Sequence, residues 1–290
     1  MRDLDLAALQ IFKTVAEEGG ITRAAAKLHR VQSNVTTRVK QLEARLGTTL
    51  FLRQHRKLVL SPEGRMLLAY ADQLLRLSSE AQAVVQGGAP RGTLRLGTLE
   101  STAASRLPPI LARYHLAYPQ VGIELVTGTT ASLIAKVLNY EVEAAFVAEP
   151  FAAKNLDWQP AFDERLVLIA PASLPKIKTP ADIGRKTLIA FTTGCAYRRR
   201  LEDWLARGGV VPERVMEFSS YHAIVACVAA GAGIAIVPRS VIGAIAVENE
   251  VAAYPLPASV SKARTLLIWR QGHRSTALEA LREELKRGKR

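Results

Sequence analysis

The 290-residue sequence predicts an α/β chain in two parts. An N-terminal helix-turn-helix with a small wing leads through a long helix into a larger segment of alternating strands and helices. Three observations carry this. The length suits two or three domains at roughly 100–200 residues each, and 49% hydrophobic residues suffice for a sizeable core. Residues 21–60 hold Arg23, Lys27, Arg30, Arg38, Lys40, Arg45, Arg53, Arg56 and Lys57 against the single acid Glu43, a local +8. Beyond residue 93 helical stripes give way to short apolar runs separated by helical stretches.

The whole chain carries +13, with a pI near 10.0. Such a surplus points to an anionic partner, nucleic acid or a membrane surface. Two cysteines, Cys195 and Cys227, exclude a disulfide framework and a Cys-rich zinc finger, and suit a reducing cytosol. Met1–Asp5 shows no basic end leading into an apolar run, so no secretory signal is expected. The longest uncharged apolar run, 223–238, spans 16 residues and is broken by Gly231 and Gly233. It falls short of the ~18–20 residues of a membrane span and reads as a buried helix followed by a strand, with no membrane partner.

Leu6, Leu9, Phe12 and Val15 predict a first helix near 4–18, stopped at Gly19-Gly20. Thr22 is placed to cap a short second helix, Arg23–Leu28, and His29–Val31 make a turn. A third helix spans Gln32–Leu46 before Gly47, with Val35, Val39, Leu42 and Leu46 as its core stripe. The opposite face carries Ser33, Thr37 and Lys40, flanked by Asn34, Thr36 and Gln41. Small hydroxyls and amides reach base edges, and a cation beside them holds phosphate. Leu50–Leu52 and Leu58–Leu60 around the basic tip 53–57 read as a hairpin wing.

Ser61-Pro62-Glu63 starts a helix that runs to about Gln86. Leu67, Tyr70, Leu74, Leu77, Ala81 and Val84 alternate three and four apart, the seam of a coiled coil, and Gly87–Gly92 form a hinge. Strands follow at 93–96, 122–126, 144–147, 166–170, 187–191, 233–237 and 265–269. Helices lie near 102–117, 131–140, 197–206, 222–230 and 275–287. That alternation predicts parallel strands, with ligands bound beyond their carboxyl ends. The loops there, 98–102, 127–130, 192–195 and 219–222, are rich in hydroxyls.

At the residue level Phe12–Ala16 (FKTVA), Thr22–Leu28 (TRAAAKL), Gln32–Thr36 (QSNVT) and Gln41–Gly47 (QLEARLG) follow in order. Thr49–Arg53 (TLFLR), Leu60–Gly64 (LSPEG), Arg91–Gly97 (RGTLRLG) and Val228–Pro238 (VAAGAGIAIVP) continue them. Together they resemble the LysR-type transcriptional regulators over essentially the whole chain. The resemblance implies a winged helix-turn-helix DNA-binding domain at 1–60 and a dimerising linker helix and hinge at 61–91. It implies an effector-binding domain at 92–290 like a type 2 periplasmic binding protein. Its lobe one is placed at 92–162 and 267–290, its lobe two at 163–266. The implied protein is cytoplasmic, binds promoter DNA as a dimer or dimer of dimers, and responds to a small metabolite between the lobes. RNA polymerase is a further partner the resemblance admits.

Carried over, Gln32, Ser33, Asn34, Thr36, Thr37 and Arg38 become recognition-helix contacts. Arg30 and Lys40 are placed on phosphate, Arg53, Arg56 and Lys57 on the wing, and Arg23 is counted among the DNA-binding residues. Where many relatives have a capping Ser, this chain has Val31, so the cap is missing or shifted to Ser33. The effector cleft carries over to Thr98, Glu100, Ser101, Thr102, Thr129, Thr130, Thr192, Thr193, Gly194, Cys195, Tyr197, Tyr221 and His222. Glu100 either pairs with an ammonium group of an amino acid or polyamine-related ligand, or caps the helix beginning near Ser101. Cys195 has a redox role or is simply a small loop residue.

Catalysis is not expected. The second part has no nucleophile elbow, phosphate loop or His-Glu-x-x-His metal motif, and Gly231-Ala232-Gly233 is a poor dinucleotide fingerprint. No cofactor or metal is implied.

Overall fold

Asp5 sets the start of the first helix, α1 (Leu6–Glu18), in the computed structural model: its Oδ1 accepts the Ala7 N–H at 3.0 Å. The structure describes residues 4–54, 57–86, 89–174, 177–184, 186–245 and 251–287. They fall into two compact units, Met1–Gly88 and Ala89–Arg290.

In the first unit α1 ends at Gly19, whose left-handed φ of 63° glycine adopts without a Cβ clash. Next come α2 (Ile21–Lys27) and α3 (Gln32–Leu46). Gly20 occupies the α2 cap without a side-chain bond, so Thr22 lies inside the helix and does not cap it. Ile11, Val15, Ala24, Ala25, Val35 and Val39 form one small core among the three helices. Leu42 joins a second core, whereas Leu46 at the helix end is exposed, so the predicted stripe stops one turn early. Strands β1 (Phe51–Gln54) and β2 (Lys57–Leu60) pair antiparallel from Phe51↔Leu60 to Gln54↔Lys57. The lone acid of the basic segment is structural. Glu43 Oε1 accepts the Leu50 and Phe51 N–H groups at 2.7 and 3.2 Å and fixes the hairpin to α3.

Helix α4 (Pro62–Gln86) starts at Ser61, whose Oγ donates to the Thr49 carbonyl and accepts the Gly64 N–H at 2.8 Å. A Cβ on Gly64 would sit 2.2 Å from the Leu50 carbonyl oxygen, so only glycine allows this approach. Ala71 is fully buried with Ala8, Leu9, Phe12 and Leu50, and Leu67, Leu68 and Leu75 pack at the edge of that core.

In the second unit β3 (Gly92–Thr98), α5 (Glu100–Ser105), α6 (Leu107–Ala117), β4 (Val121–Thr127), α7 (Thr130–Leu138) and β5 (Ala144–Ala148) build a parallel sheet, order β5-β3-β4. One expected helix near 102–117 is two, because Pro108 and Pro109 follow the break at Arg106 and supply no N–H. The 16-residue β6 (Leu156–Pro171) then crosses to a second sheet. Beside it follow β7 (Leu188–Phe191), α8 (Ala196–Arg207), β8 (Val215–Phe218), α9 (Tyr221–Ala229), β9 (Ala235–Pro238), α10 (Arg239–Ile245), β10 (Val251–Pro255) and α11 (Ala258–Ser261); β9 and β10 pair with β6, whereas β7 and β8 form their own two-stranded parallel sheet. Strand β11 (Lys262–Arg270) returns to the first sheet, and α12 (Thr276–Arg287) closes the chain.

The expected parallel pairing holds for β3-β4, β3-β5 and β7-β8 and is corrected elsewhere: β6 pairs antiparallel with β11, β9 and β10, and β11 antiparallel with β5. Sequence periodicity found only the end of β6, since 156–165 mixes Asp157, Gln159, Asp163, Glu164 and Arg165 into the strand. Its register passes from Arg165↔Lys262 on β11 to Leu166↔Pro238 on β9, so one strand serves both sheets. Leu94, Leu96, Tyr114, Phe146, Trp269 and Leu281 fill one core beneath α6 and α12. A second core runs continuously from Leu133 and Val147 to Leu168, Leu188 and Ile236. Among the described residues no helix is long and apolar enough to cross a membrane.

Candidate functional site

The first unit presents one face of α3. Val35, Val39 and Leu42 turn inward, which leaves Gln32, Ser33, Asn34, Thr37, Arg38, Lys40 and Gln41 exposed, with no acid among them. Val31 occupies the cap position without a side-chain bond, so the first N–H groups of the helix remain open to an anion. Thr36 is only half-exposed, and its Oγ1 donates to the Gln32 carbonyl at 2.9 Å. Arg30 Nη1 donates to Asn34 Oδ1 at 3.4 Å, and Arg38 lies 4.0 Å from Asp5.

Arg23 and Lys27 are engaged with the end of α1. Arg23 Nε donates to the Glu18 carbonyl at 2.6 Å and holds the α1–α2 turn. Lys27 Nζ donates to Glu18 Oε1 at 2.6 Å, which raises its pKa. Arg53 is exposed on the wing. Arg56 lies outside the described residues, as do the side chains of Lys57 and Val84. On α4, Tyr70, Leu74, Leu77 and Ala81 are exposed in the predicted seam, joined by Met66, while Leu67 belongs partly to the unit's own core.

In the second unit the ends of β3, β4, β5 and β7 bring a set of side chains around one small cavity. It is lined by Glu100, Ser101, Thr129, Cys195, Tyr197 and Tyr221, with Leu99, Gly128, Ala148, Phe191 and Ala196. About 10 Å³ remains, room for about one water molecule. The Phe191 and Tyr221 rings stack at 5.1 Å. The five apolar or small lining residues escaped a reading that looked for hydroxyls. Phe191 was detectable as the last residue of an apolar strand.

Several expected contacts are turned inward. Thr98 Oγ1 is fully buried and donates to the Leu99 carbonyl, and Thr102 is buried without lining the cavity. Thr130 Oγ1 accepts the Ala148 N–H at 3.2 Å. Thr129 caps α7 in a reciprocal box with Ser132. Thr193 lies with Arg198 and Glu217 outside the cavity, while Thr192 is half-exposed. Gly194 adopts a φ of 93°, and a Cβ there would meet Thr129 Oγ1 at 3.0 Å.

Glu100 does not cap α5. The Tyr221 N–H at the start of α9 donates toward its carboxylate, and its Oε2 is buried without a hydrogen-bond partner. Burial raises its pKa, offset in part by that N–H and by the exposed His222 nearby. The Tyr197 hydroxyl is also buried without a partner at bonding geometry, although the Thr265 and Ser101 hydroxyls lie within reach. Cys195 sits at the cap of α8, and burial pushes its thiol up, against the opposing pull of the Arg198 and Tyr197 N–H groups. A thiol held neutral in this way reacts slowly. The cavity thus offers the free Glu100 acceptor and the Tyr197 phenol beside the stacked Phe191 and Tyr221 rings.

Beside it opens a groove of about 760 Å³ that shares Cys195 and Ala196 with the cavity and runs between the start of α7 and the face of α8. Among the described residues no group of His, Cys, Asp and Glu is set to hold a metal ion.

Two family models match the chain: a LysR substrate binding domain over residues 87–290, and a bacterial regulatory helix-turn-helix protein of the lysR family over residues 6–65. The Bacillus subtilis regulator YusT, itself described as uncharacterized, is 42% identical over 91% of this chain and 88% of that protein. The B. subtilis transcriptional regulator GltR is 39% identical over 92% of this chain and 91% of its own length. A full-length OxyR variant from Pseudomonas aeruginosa shares the fold with a TM-score of 0.71 at 23% identity, covering 98% of this chain and 95% of that one.

Proposed function

The chain belongs to the LysR family of transcriptional regulators, and from that premise we propose how its residues divide the work. As a LysR-type regulator it joins a DNA-binding helix-turn-helix to an effector-binding domain, and it is a regulator and not an enzyme. Regulators of this family bind promoter DNA and small effectors and oligomerise. In our reading the protein works in the cytoplasm, pairs through the exposed α4 stripe of Tyr70, Leu74, Leu77 and Ala81, and passes its output to RNA polymerase.

The acid-free exposed face of α3 carries the DNA reading. Gln32, Ser33, Asn34 and Thr37 read base edges, and Arg30, Arg38, Lys40 and Arg53 hold phosphates. Arg23 acts indirectly, by holding the α1–α2 turn. Lys40→Ala is expected to weaken binding on every sequence and to lower the salt slope by about 0.9. Thr37→Ala is expected to change site preference. Equal losses on specific and random DNA would reject base reading by Thr37.

The unpartnered Glu100 Oε2 carries the effector reading. The effector enters as the two sheets part, and an ammonium group donates to Glu100. Glu100→Gln then abolishes the effector's influence on the promoter footprint and leaves effector-free DNA binding unchanged. An intact effector response in this variant refutes the role.

A further inference from the structure

Resting on that effector site, we infer that the adjoining groove is an anion subsite, built to take the carboxylate of an amino acid or organic acid. A polyamine is thereby disfavoured as effector. At about 760 Å³ the groove falls within the roughly 300–1,000 Å³ of small-molecule sites, and it meets the Glu100 cavity at Cys195 and Ala196.

Its charges are Arg198, Arg199, Arg200 and Arg207 against Glu202 and Asp203. They are not equally available. Arg198 is neutralised by Glu202 at 2.7 Å and Glu217 at 2.6 Å. Arg207 Nε donates to the Asp203 carbonyl. Arg200 is the unusual group. Its Nη1 and Nη2 donate to the carbonyls of Lys262 at 2.9 Å and Glu149 at 3.2 Å, and its Nε is buried with no partner. Neutral carbonyls take up its Nη donors without balancing its charge. The Arg199 side chain is exposed and has no hydrogen bond or ion pair among the described residues, although Asp203 lies one turn along α8.

Among the described residues Arg199, Arg200 and Arg207 on this wall therefore lack a carboxylate, and of the three Arg207 lies farthest along α8 from Cys195. Guanidinium binds carboxylate through paired charge-assisted hydrogen bonds, so this is the ligand chemistry the wall recognises. Across the groove Thr130 and Ala131 begin the nine-residue α7, whose dipole adds positive potential. Ile134 and Phe151 offer apolar surface for a carbon chain. With Glu100 beyond Cys195, one ligand can present an ammonium inward and a carboxylate to the groove.

The test is calorimetric titration of the full chain with molecules sharing one carbon backbone: δ-aminovalerate, glutarate, valerate and cadaverine. The acids are expected to bind and cadaverine is not. Arg199→Glu should weaken acid binding by roughly ten- to a hundredfold, the value of a charged hydrogen bond, and Arg199→Lys should restore part of it. Cadaverine binding as tightly as the acids, affinities unmoved by Arg199→Glu, or binding by no member of the series would each overturn the proposal. Acid binding that depends on Arg199 but not on Glu100 would uphold the subsite and remove Glu100 from effector recognition.

Discussion

The two units use their polar residues in opposite ways. On α3 the candidate groups face outward from a single helix, and few are committed to neighbours. In the effector unit the corresponding groups come from separate strand ends and loops, and most are committed inward. Thr98 is fully buried, Thr130 is bonded to β5, and Thr129 is spent on a helix cap. DNA is a surface ligand, and its site must stand ready in water. A small effector is enclosed, so its site must satisfy itself until a ligand displaces those contacts. Groups left unsatisfied there, such as Glu100 Oε2, Arg200 Nε and the Arg199 guanidinium, are the better guide to ligand chemistry than the hydroxyl count.

The largest test of this contrast is Phe12→Ala. Its fully buried ring joins α1 to α4, and its loss should cost about 3–5 kcal/mol and abolish DNA binding. Calorimetry on the whole chain should show one transition lowered and the effector unit's left in place. Equal lowering of both would deny the units their independence. In the second unit Arg106 holds the buried Glu164 through Nε at 2.8 Å and Nη2 at 3.1 Å, and Ser240 donates to the same carboxylate. Arg106→Met should cost about 2–3 kcal/mol, reduced from the full value for a buried pair because Arg106 is itself about one-third exposed. A smaller loss than that of a surface pair would show that solvent reaches Glu164.

A subtler effect concerns pH. Burial raises the Glu100 pKa in the folded chain, so the folded state holds its proton in the interval above the ordinary carboxylate range where the unfolded state has released it. Stability falls as pH rises through that interval, and Glu100→Gln should flatten this part of the melting-temperature profile. An unchanged profile would mean that water already solvates the carboxylate. Smallest, Thr129→Ala should cost about 1 kcal/mol through the lost α7 cap and leave DNA binding intact, as urea denaturation and a binding assay would show.

The first unit was legible because its information is local. Val35, Val39 and Leu42 recur at helical spacing, so the face opposite them is fixed once the helix forms, and only Leu46 strayed, in the last turn beside the Gly47 cap. The second unit was legible in most of its elements, though β8, β10 and α10 went unread, and less so in its connections. Residues 156–165 of β6, most of the strand, were missed because a strand that crosses between sheets carries charges where a buried strand would carry apolar residues. The side of the site formed by Phe191, Ala148 and Gly128 carries no polar group that would mark it as a ligand wall.

Sequence by itself determined the helix-turn-helix, the long α4 and the family, since periodicity, caps and ordered motifs act over a few residues. Tertiary structure alone decided which polar groups are free. Whether Glu100 caps its own helix or faces α9, and whether Arg199 or Arg198 keeps its charge available, depends on partners as distant in sequence as Tyr221 and Glu217. Free charge is a property of long-range pairing, and no local pattern records it.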